Sequence, residues 1–255
     1  MTSSPWPLPY WIAHRGAGKL APENTLAAFR VGAGHGWRAF ECDVKLSADG
    51  VPFLLHDATL ERTTSASGVA GERGWSELSR LDAGSWHSPA YAGEPPPSFE
   101  AIAAFVRRGG HALDIEIKPT PGQELATGRA VGREVARLWA DAPAPPVFTS
   151  FRPDALHGAR ETAPQVPRGL LLDTLWEGWE SAAAALGCVA VVTNHRVMSP
   201  ELARQLHARG WRALVYTVND RDTAARMGDC GVDGIVTDAV DLFDPGAGPA
   251  GPRAG

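Results

Sequence analysis

The chain has 255 residues, 44% of them hydrophobic and 21% charged, enough apolar material for a sizeable core and too much for a disordered chain. A net charge of −5 at pH 7 without any Lys/Arg-rich run excludes the electrostatic footprint of a nucleic-acid binder. No stretch reaches the roughly 18 consecutive apolar residues of a membrane span, so neither nucleic acid nor a bilayer interior is an expected partner.

Residues 1–10 are rich in Pro and Ser and have neither the basic start nor the apolar run of a signal peptide. The first strand is expected over 11–14 and ends in His14-Arg15-Gly16. The second, 39–44, carries Glu41 and Asp43; two residues apart on a strand, they leave the backbone on one face. Asp49-Gly50 predicts a two-residue hairpin turn between 44–46 and 51–55. It opens an insertion of about 46–97, too long for one helical connection, whose first return brings His56 and Asp57 back to the height of the strand ends. Trp75 and Trp86 lie in that insertion, which is expected to roof the site.

A helix capped by Ser98 follows, with Ile102, Phe105 and Val106 on one face and Gly109 at its end. Strand 112–117 carries Glu116, with Lys118 in the same alternation. Strands at 147–150, 169–172, 189–193, 213–218 and 234–237 complete the set. Among the intervening helices, Ser199-Pro200 supplies a cap and a first-turn proline, Leu202 and Leu206 stack at i, i+4, and Gly210 stops the turn. Eight strands alternating with helices predict a (β/α)8 TIM barrel over 1–244 as a single domain. The Gly/Ala/Pro-rich stretch 245–255 is expected to be a mobile tail.

A barrel of this kind works at the C-terminal ends of its strands, where Glu41, Asp43 and Glu116 would converge. Three carboxylates in one mouth repel one another unless a cation sits among them, and an all-oxygen set suits Mg²⁺ or Ca²⁺ better than zinc. Each acid alone reads equally well as a packing salt bridge. His14 and His56 titrate near neutral pH and are the natural proton carriers for a phosphodiester, while Arg15 and Lys118 put fixed positive charge beside the acids. Phe151 and Tyr216, at strand ends, are candidates for the pocket wall.

His14-Arg15-Gly16, Pro22-Glu23-Asn24-Thr25, Glu41-Cys42-Asp43-Val44, the run from His56-Asp57 to Arg62-Thr63 and Glu116-Ile117-Lys118-Pro119 together resemble the glycerophosphodiester phosphodiesterase family, closest to its cytosolic bacterial members. The likeness extends through Asp82 to Trp86, Arg168 to Asp173, Val215 to Asn219 and Thr237-Asp238-Ala239, in the family's order. It implies a TIM barrel with an insertion after strand two, and metal-dependent hydrolysis of diesters such as glycerophosphocholine and glycerophosphoethanolamine to sn-glycerol 3-phosphate and an alcohol, in glycerophospholipid and glycerol metabolism. On that likeness Glu41, Asp43 and Glu116 map to the metal ligands (Mg²⁺ or Ca²⁺, with Mn²⁺ also admissible) and His14 and His56 to the acid/base pair. Arg15 and Lys118 map to the phosphate side, Asn24 lies near the metal, and Glu23 orients Arg15 or a histidine behind them. Tyr216 stands where many relatives have Trp, which leaves the preferred alcohol open.

Three other readings remain at this level. A lysophospholipid-directed phospholipase D would use the same site but calls for a membrane-seeking amphipathic helix that is not evident. A silent phosphate-binding barrel would lack one of the acids, bases or ligands. A glycosidase needs two carboxylates but neither metal nor rim histidines. Cys42, Cys188 and Cys230 are odd in number and widely spaced, which predicts reduced thiols and a cytoplasmic setting, with a homodimer compatible with everything above.

Overall fold

The computed structural model describes residues 6–248. Strands β1 (Trp11–Ala13) and β2 (Ala39–Leu46) flank helix α1 (Leu26–Gly34), and β3 (Pro52–Leu54) turns back antiparallel on β2. After the short α2 (Trp75–Leu78), helix α3 (Phe99–Gly109) leads into β4 (Ala112–Ile117), α4 (Glu124–Leu138) and β5 (Val147–Ser150). Then come α5 (Pro153–Thr162), β6 (Arg168–Leu172), α6 (Trp179–Leu186), β7 (Ala190–Asn194), α7 (Pro200–Ala208), β8 (Arg212–Tyr216), α8 (Arg221–Cys230) and β9 (Gly234–Thr237). Because β1 pairs in parallel with both β2 and β9, the eight parallel strands close on themselves as a (β/α)8 barrel, to which β3 adds antiparallel on β2.

The expected strands are all present, three of them with the expected bounds. β2 runs to Leu46 rather than 44 because its last residues pair with β3, Val44 opposite Leu54 and Leu46 opposite Pro52. β8 stops at Tyr216, two residues short of the expected 218. The hairpin turn differs from the two-residue form: Ser47 N–H bonds Val51 O at 3.0 Å, and only Gly50, at φ 82°, takes the left-handed conformation. Asp49 stays at negative φ and spends its carboxylate on Ser47 Oγ and the Trp75 N–H, making a three-residue loop with glycine in the left-handed place. The helix expected to end at Gly109 includes it, and Gly110 at φ 63° is the left-handed cap.

Two apolar layers hold the barrel. Inside, Ile12, Ala39, Val147, Leu171, Val192, Leu214 and Val236 fill the lower half. Outside, strand residues such as Phe40, Ile115, Phe148 and Val215 meet the helices. Past β9 the described residues form turns and no helix. There Phe243 stacks on Trp11 with centroids 4.4 Å apart, and the fully buried Trp37 donates from Nε1 to Val240 O at 3.0 Å. Trp37→Ala removes both the packing and that tie, and is expected to cost about 3–5 kcal/mol, read as a lower urea midpoint at unchanged slope. The part of the expected tail from 249 to 255 lies outside the described residues.

The insertion has its own small core of Phe53, Leu55, Leu60, Ala70 and Leu78. Trp75 packs there against Phe53, and Trp86 donates to Ala83 O beside His87. Neither lines the chamber that holds the two rim histidines.

Candidate active site

Strand register assembles the acids. Asp43 on β2 lies opposite Glu116 on β4, and Glu41 opposite Asp114, so alternation turns all four carboxylates into the barrel mouth. Glu41, Asp43 and Glu116 each bring a carboxylate oxygen within 4.8 Å of the others. Glu41 Oε1 and Asp43 Oδ1 are buried without a hydrogen-bond partner, a costly state that a divalent cation would relieve. An all-oxygen donor set of this charge fits Mg²⁺, Ca²⁺ or Mn²⁺.

The surrounding charges split the acids into two classes. Burial, then the neighbouring acids, pushes Glu41 well above the usual carboxylate range and Glu116 up to about 7. Burial would raise Asp43 too, but Arg15, Lys118, His56 and the Asn24 hydrogen bond outweigh it and hold Asp43 far below. Asn24 clamps Asp43 twice, donating Nδ2–H to Oδ2 at 2.8 Å and accepting from the Asp43 N–H at 3.1 Å. Lys118 Nζ donates to Glu116 at 2.8 Å and stands 3.6 Å from Asp43. Arg15 Nη1 donates to Glu23 at 2.8 Å, while its Nε, 3.1 Å from Asp43 Oδ2, is too oblique to bond.

Arg15 and Asn24 both hold positive φ, 52° and 59°, at a cost of about 1–3 kcal/mol each. The strained pair is mutually fixed, Asn24 N–H bonding Arg15 O at 3.0 Å and the Arg15 N–H bonding Glu41 at 3.1 Å. Strain retained beside buried acids is a mark of a working site.

The histidines face the acids from two sides. His14 Nδ1 lies 2.6 Å from Asp238 Oδ1 and its Nε2 3.8 Å from Glu41. His56 Nδ1 lies 2.6 Å from Asp57 Oδ1. With each Nδ1 proton committed to a carboxylate, each Nε2 is the nitrogen left for chemistry. Burial, with Arg15 and Lys118 nearby, lowers the His56 pKa against the pull of Asp43 and Asp57. Both rings line a chamber of about 160 Å³ with Arg15, Lys118 and an edge-to-face pair, Phe151 and Tyr216, whose centroids are 5.7 Å apart.

The ligand, proton-carrier and phosphate-side candidates from the sequence therefore meet at one mouth, with Glu23 and Asn24 directly behind it. Three more were missed. Asp114, buried and bonded by Thr149 Oγ1 at 2.9 Å, rises to about 7 through burial; the same two-residue alternation that paired Glu41 with Asp43 would have found it next to Glu116. Asp238 and Asn219 stood in motifs that resemble the family but gave no sign of their role, because only closure of β9 onto β1 brings Asp238 to His14. Asn219 locks Asp238 by donating to Oδ2 at 3.0 Å and accepting its N–H at 2.8 Å. Gly18 lets the loop press on this corner, since a Cβ there would stand 2.0 Å from Asp238 O.

Comparisons with known proteins bear on the chain's family and fold. A glycerophosphodiester phosphodiesterase of Caldanaerobacter subterraneus subsp. tengcongensis is 31% identical to the chain, covering 89% of it and 93% of the relative. An Oleispira antarctica phosphodiesterase, solved with its product sn-glycerol-3-phosphate, superposes with TM-score 0.85 at 31% identity, over 91% of this chain and 94% of that one. The glycerophosphodiester phosphodiesterase structure from Agrobacterium tumefaciens superposes with TM-score 0.76 at 29% identity, over 92% and 99%. The model of the glycerophosphoryl diester phosphodiesterase family matches residues 14–242, and with the barrel and its acid-lined mouth this places the chain in that family.

Proposed function

We propose that the chain hydrolyses glycerophosphodiesters, glycerophosphocholine and glycerophosphoethanolamine among them, to sn-glycerol 3-phosphate and an alcohol. The observation that carries the reading is the cluster of Glu41, Asp43 and Glu116 set between two carboxylate-backed histidines and two fixed cations. Glu41, Asp43 and Glu116 would hold a divalent cation, Mg²⁺ or Ca²⁺ by donor type and Mn²⁺ by the same chemistry, which supplies positive charge for the phosphate's non-bridging oxygens. Arg15 and Lys118 bind those oxygens and stabilise the charge that builds on them. One histidine takes the proton of the nucleophile at its Nε2 and the other gives a proton to the departing alcohol oxygen. The nucleophile is the neighbouring glycerol hydroxyl, and water then opens the cyclic phosphate that results.

Two further points belong to this reading. None of the described helices is long and apolar enough to cross a membrane, and all three cysteines are unpaired thiols, which supports a small soluble diester as substrate and a cytoplasmic setting. Phe151 and Tyr216 line the chamber where the departing alcohol would sit, and headgroup choice rests on kinetics.

Purified protein should release glycerol 3-phosphate from glycerophosphocholine, lose that activity in EDTA, and regain it with Mg²⁺, Mn²⁺ or Ca²⁺ in an order that ranks the cations. Release that persists after exhaustive chelation would remove the cation from the reading. No release from glycerophosphocholine, glycerophosphoethanolamine or glycerophosphoglycerol with any of them would sink the substrate class.

A further inference from the structure

We propose that Arg62, held by the insertion outside the catalytic chamber, is a positioning residue that aims His56 and Arg15 together at the two ends of the reacting phosphate; this rests on the phosphodiesterase reading above. Arg62 uses two edges of one guanidinium. Nε and Nη2 donate to Asp57 Oδ2 and Oδ1 at 2.6 and 3.0 Å, and Nη1 and Nη2 donate to Glu23 Oε2 and Oε1, both at 2.8 Å. Asp57 in turn holds His56 Nδ1 at 2.6 Å, and Glu23 holds Arg15 Nη1 at 2.8 Å. The ladder His56, Asp57, Arg62, Glu23, Arg15 therefore runs unbroken from a proton carrier to a phosphate-binding cation.

The alternation of charge explains why the ladder needs its middle rung. Without Arg62, Asp57 and Glu23 would be two carboxylates facing one another, and each would turn away or seek another cation, pulling its dependent side chain with it. The planar fork of arginine satisfies both carboxylates in fixed directions, which the single ammonium of lysine cannot do. The rung itself is well anchored. Leu60 and Thr63 on either side are buried, and Thr64 closes the turn through both its N–H and its Oγ1 to Leu60 O, at 3.0 and 2.7 Å. The Arg62 side chain remains 43% exposed, so solvent reaches it.

The test uses Arg62→Lys and Arg62→Ala beside the unaltered enzyme, with glycerophosphocholine and the cation that supports it best. An inactive unaltered enzyme defeats the substrate reading; with that enzyme active, the variants judge the ladder. Both variants are expected to lose about 10- to 100-fold in kcat/KM, the size of loss that misplaced reacting groups produce. The loss should divide between a lower kcat, from His56, and a higher KM, from Arg15. Affinity for glycerol 3-phosphate by calorimetry should fall in parallel, with little change in melting temperature. Because Arg62 is open to solvent, guanidinium at non-denaturing concentration should restore part of the Arg62→Ala activity in a saturable way and do nothing for His56→Ala. Combining Arg62→Ala with Asp57→Asn should cost much less than the product of the two single losses. Near-normal kcat/KM in Arg62→Ala, full recovery by Arg62→Lys, or a loss that guanidinium leaves untouched would each overturn the proposal.

Discussion

Replacing His14 or His56 by alanine is expected to lower kcat on glycerophosphocholine by about 100-fold or more, the usual worth of a placed acid or base, while the protein melts near its original temperature. The folded state should tolerate either change, because both rings sit at the mouth, 15% and 30% exposed, and neither belongs to the apolar layers. Asp238 keeps its bonds to Asn219, and Asp57 keeps Arg62. Steady-state rates and a thermal melt check the pair of expectations, and near-normal turnover in either variant removes that histidine from the proton path. A glycerophosphate ester of 4-nitrophenol separates the two duties, since its leaving group departs without a proton. It should be cleaved almost normally by the variant lacking the acid and slowly by the one lacking the base; rescue of both or of neither would overturn the division.

How much of this was legible beforehand depended on sequence separation. The barrel followed from eight apolar runs alternating with capped helices, and the Glu41/Asp43 pair from strand alternation alone. His56 could be carried to the rim because one hairpin turn connects it to β2, although the turn proved one residue longer than its Asp-Gly signal implied. Asp238, by contrast, meets His14 across a separation of 224 residues, through pairing of the first and last strands, and no spacing rule points there. Arg62 was visible as a residue of a family motif but not as a clamp. Its partners, Asp57 and Glu23, come from either side of β2 and meet it only in the folded chain.

The metal-free protein is expected to lose stability as pH rises from about 5 to about 8, and added divalent cation should reverse most of that loss. Burial first, then neighbouring carboxylates, raises Glu41 and lifts Asp114 and Glu116 to about 7, whereas in the unfolded chain such groups titrate near 4. Below the unfolded value both states are protonated and the raised groups cost nothing. Between the unfolded and folded values the unfolded chain has shed its protons and the folded chain has not, so each added pH unit favours unfolding. Above the folded value the penalty is complete, on the order of 4 kcal/mol for Asp114 and about 3 kcal/mol for Glu116. Asp43 has the opposite sign: its depressed pKa stabilises the fold above the ordinary carboxylate value, and that contribution fades only in stronger acid. His56, lowered by burial, opposes the trend near its unfolded pKa, but it is one group against three. The melting temperature in EDTA should therefore fall by roughly 10 °C between pH 5 and pH 8. The rise produced by Mg²⁺ or Ca²⁺ should be larger at pH 8, and calorimetry in buffers of different ionisation enthalpy should detect protons released as the cation binds near pH 6. Glu116→Gln, which keeps the shape and removes the titration, should flatten the profile and weaken the cation's effect together. A melting temperature that climbs steadily from pH 5 to pH 8 in EDTA, or a cation effect larger in acid, would show that the three carboxyl groups are not held protonated by burial and by one another.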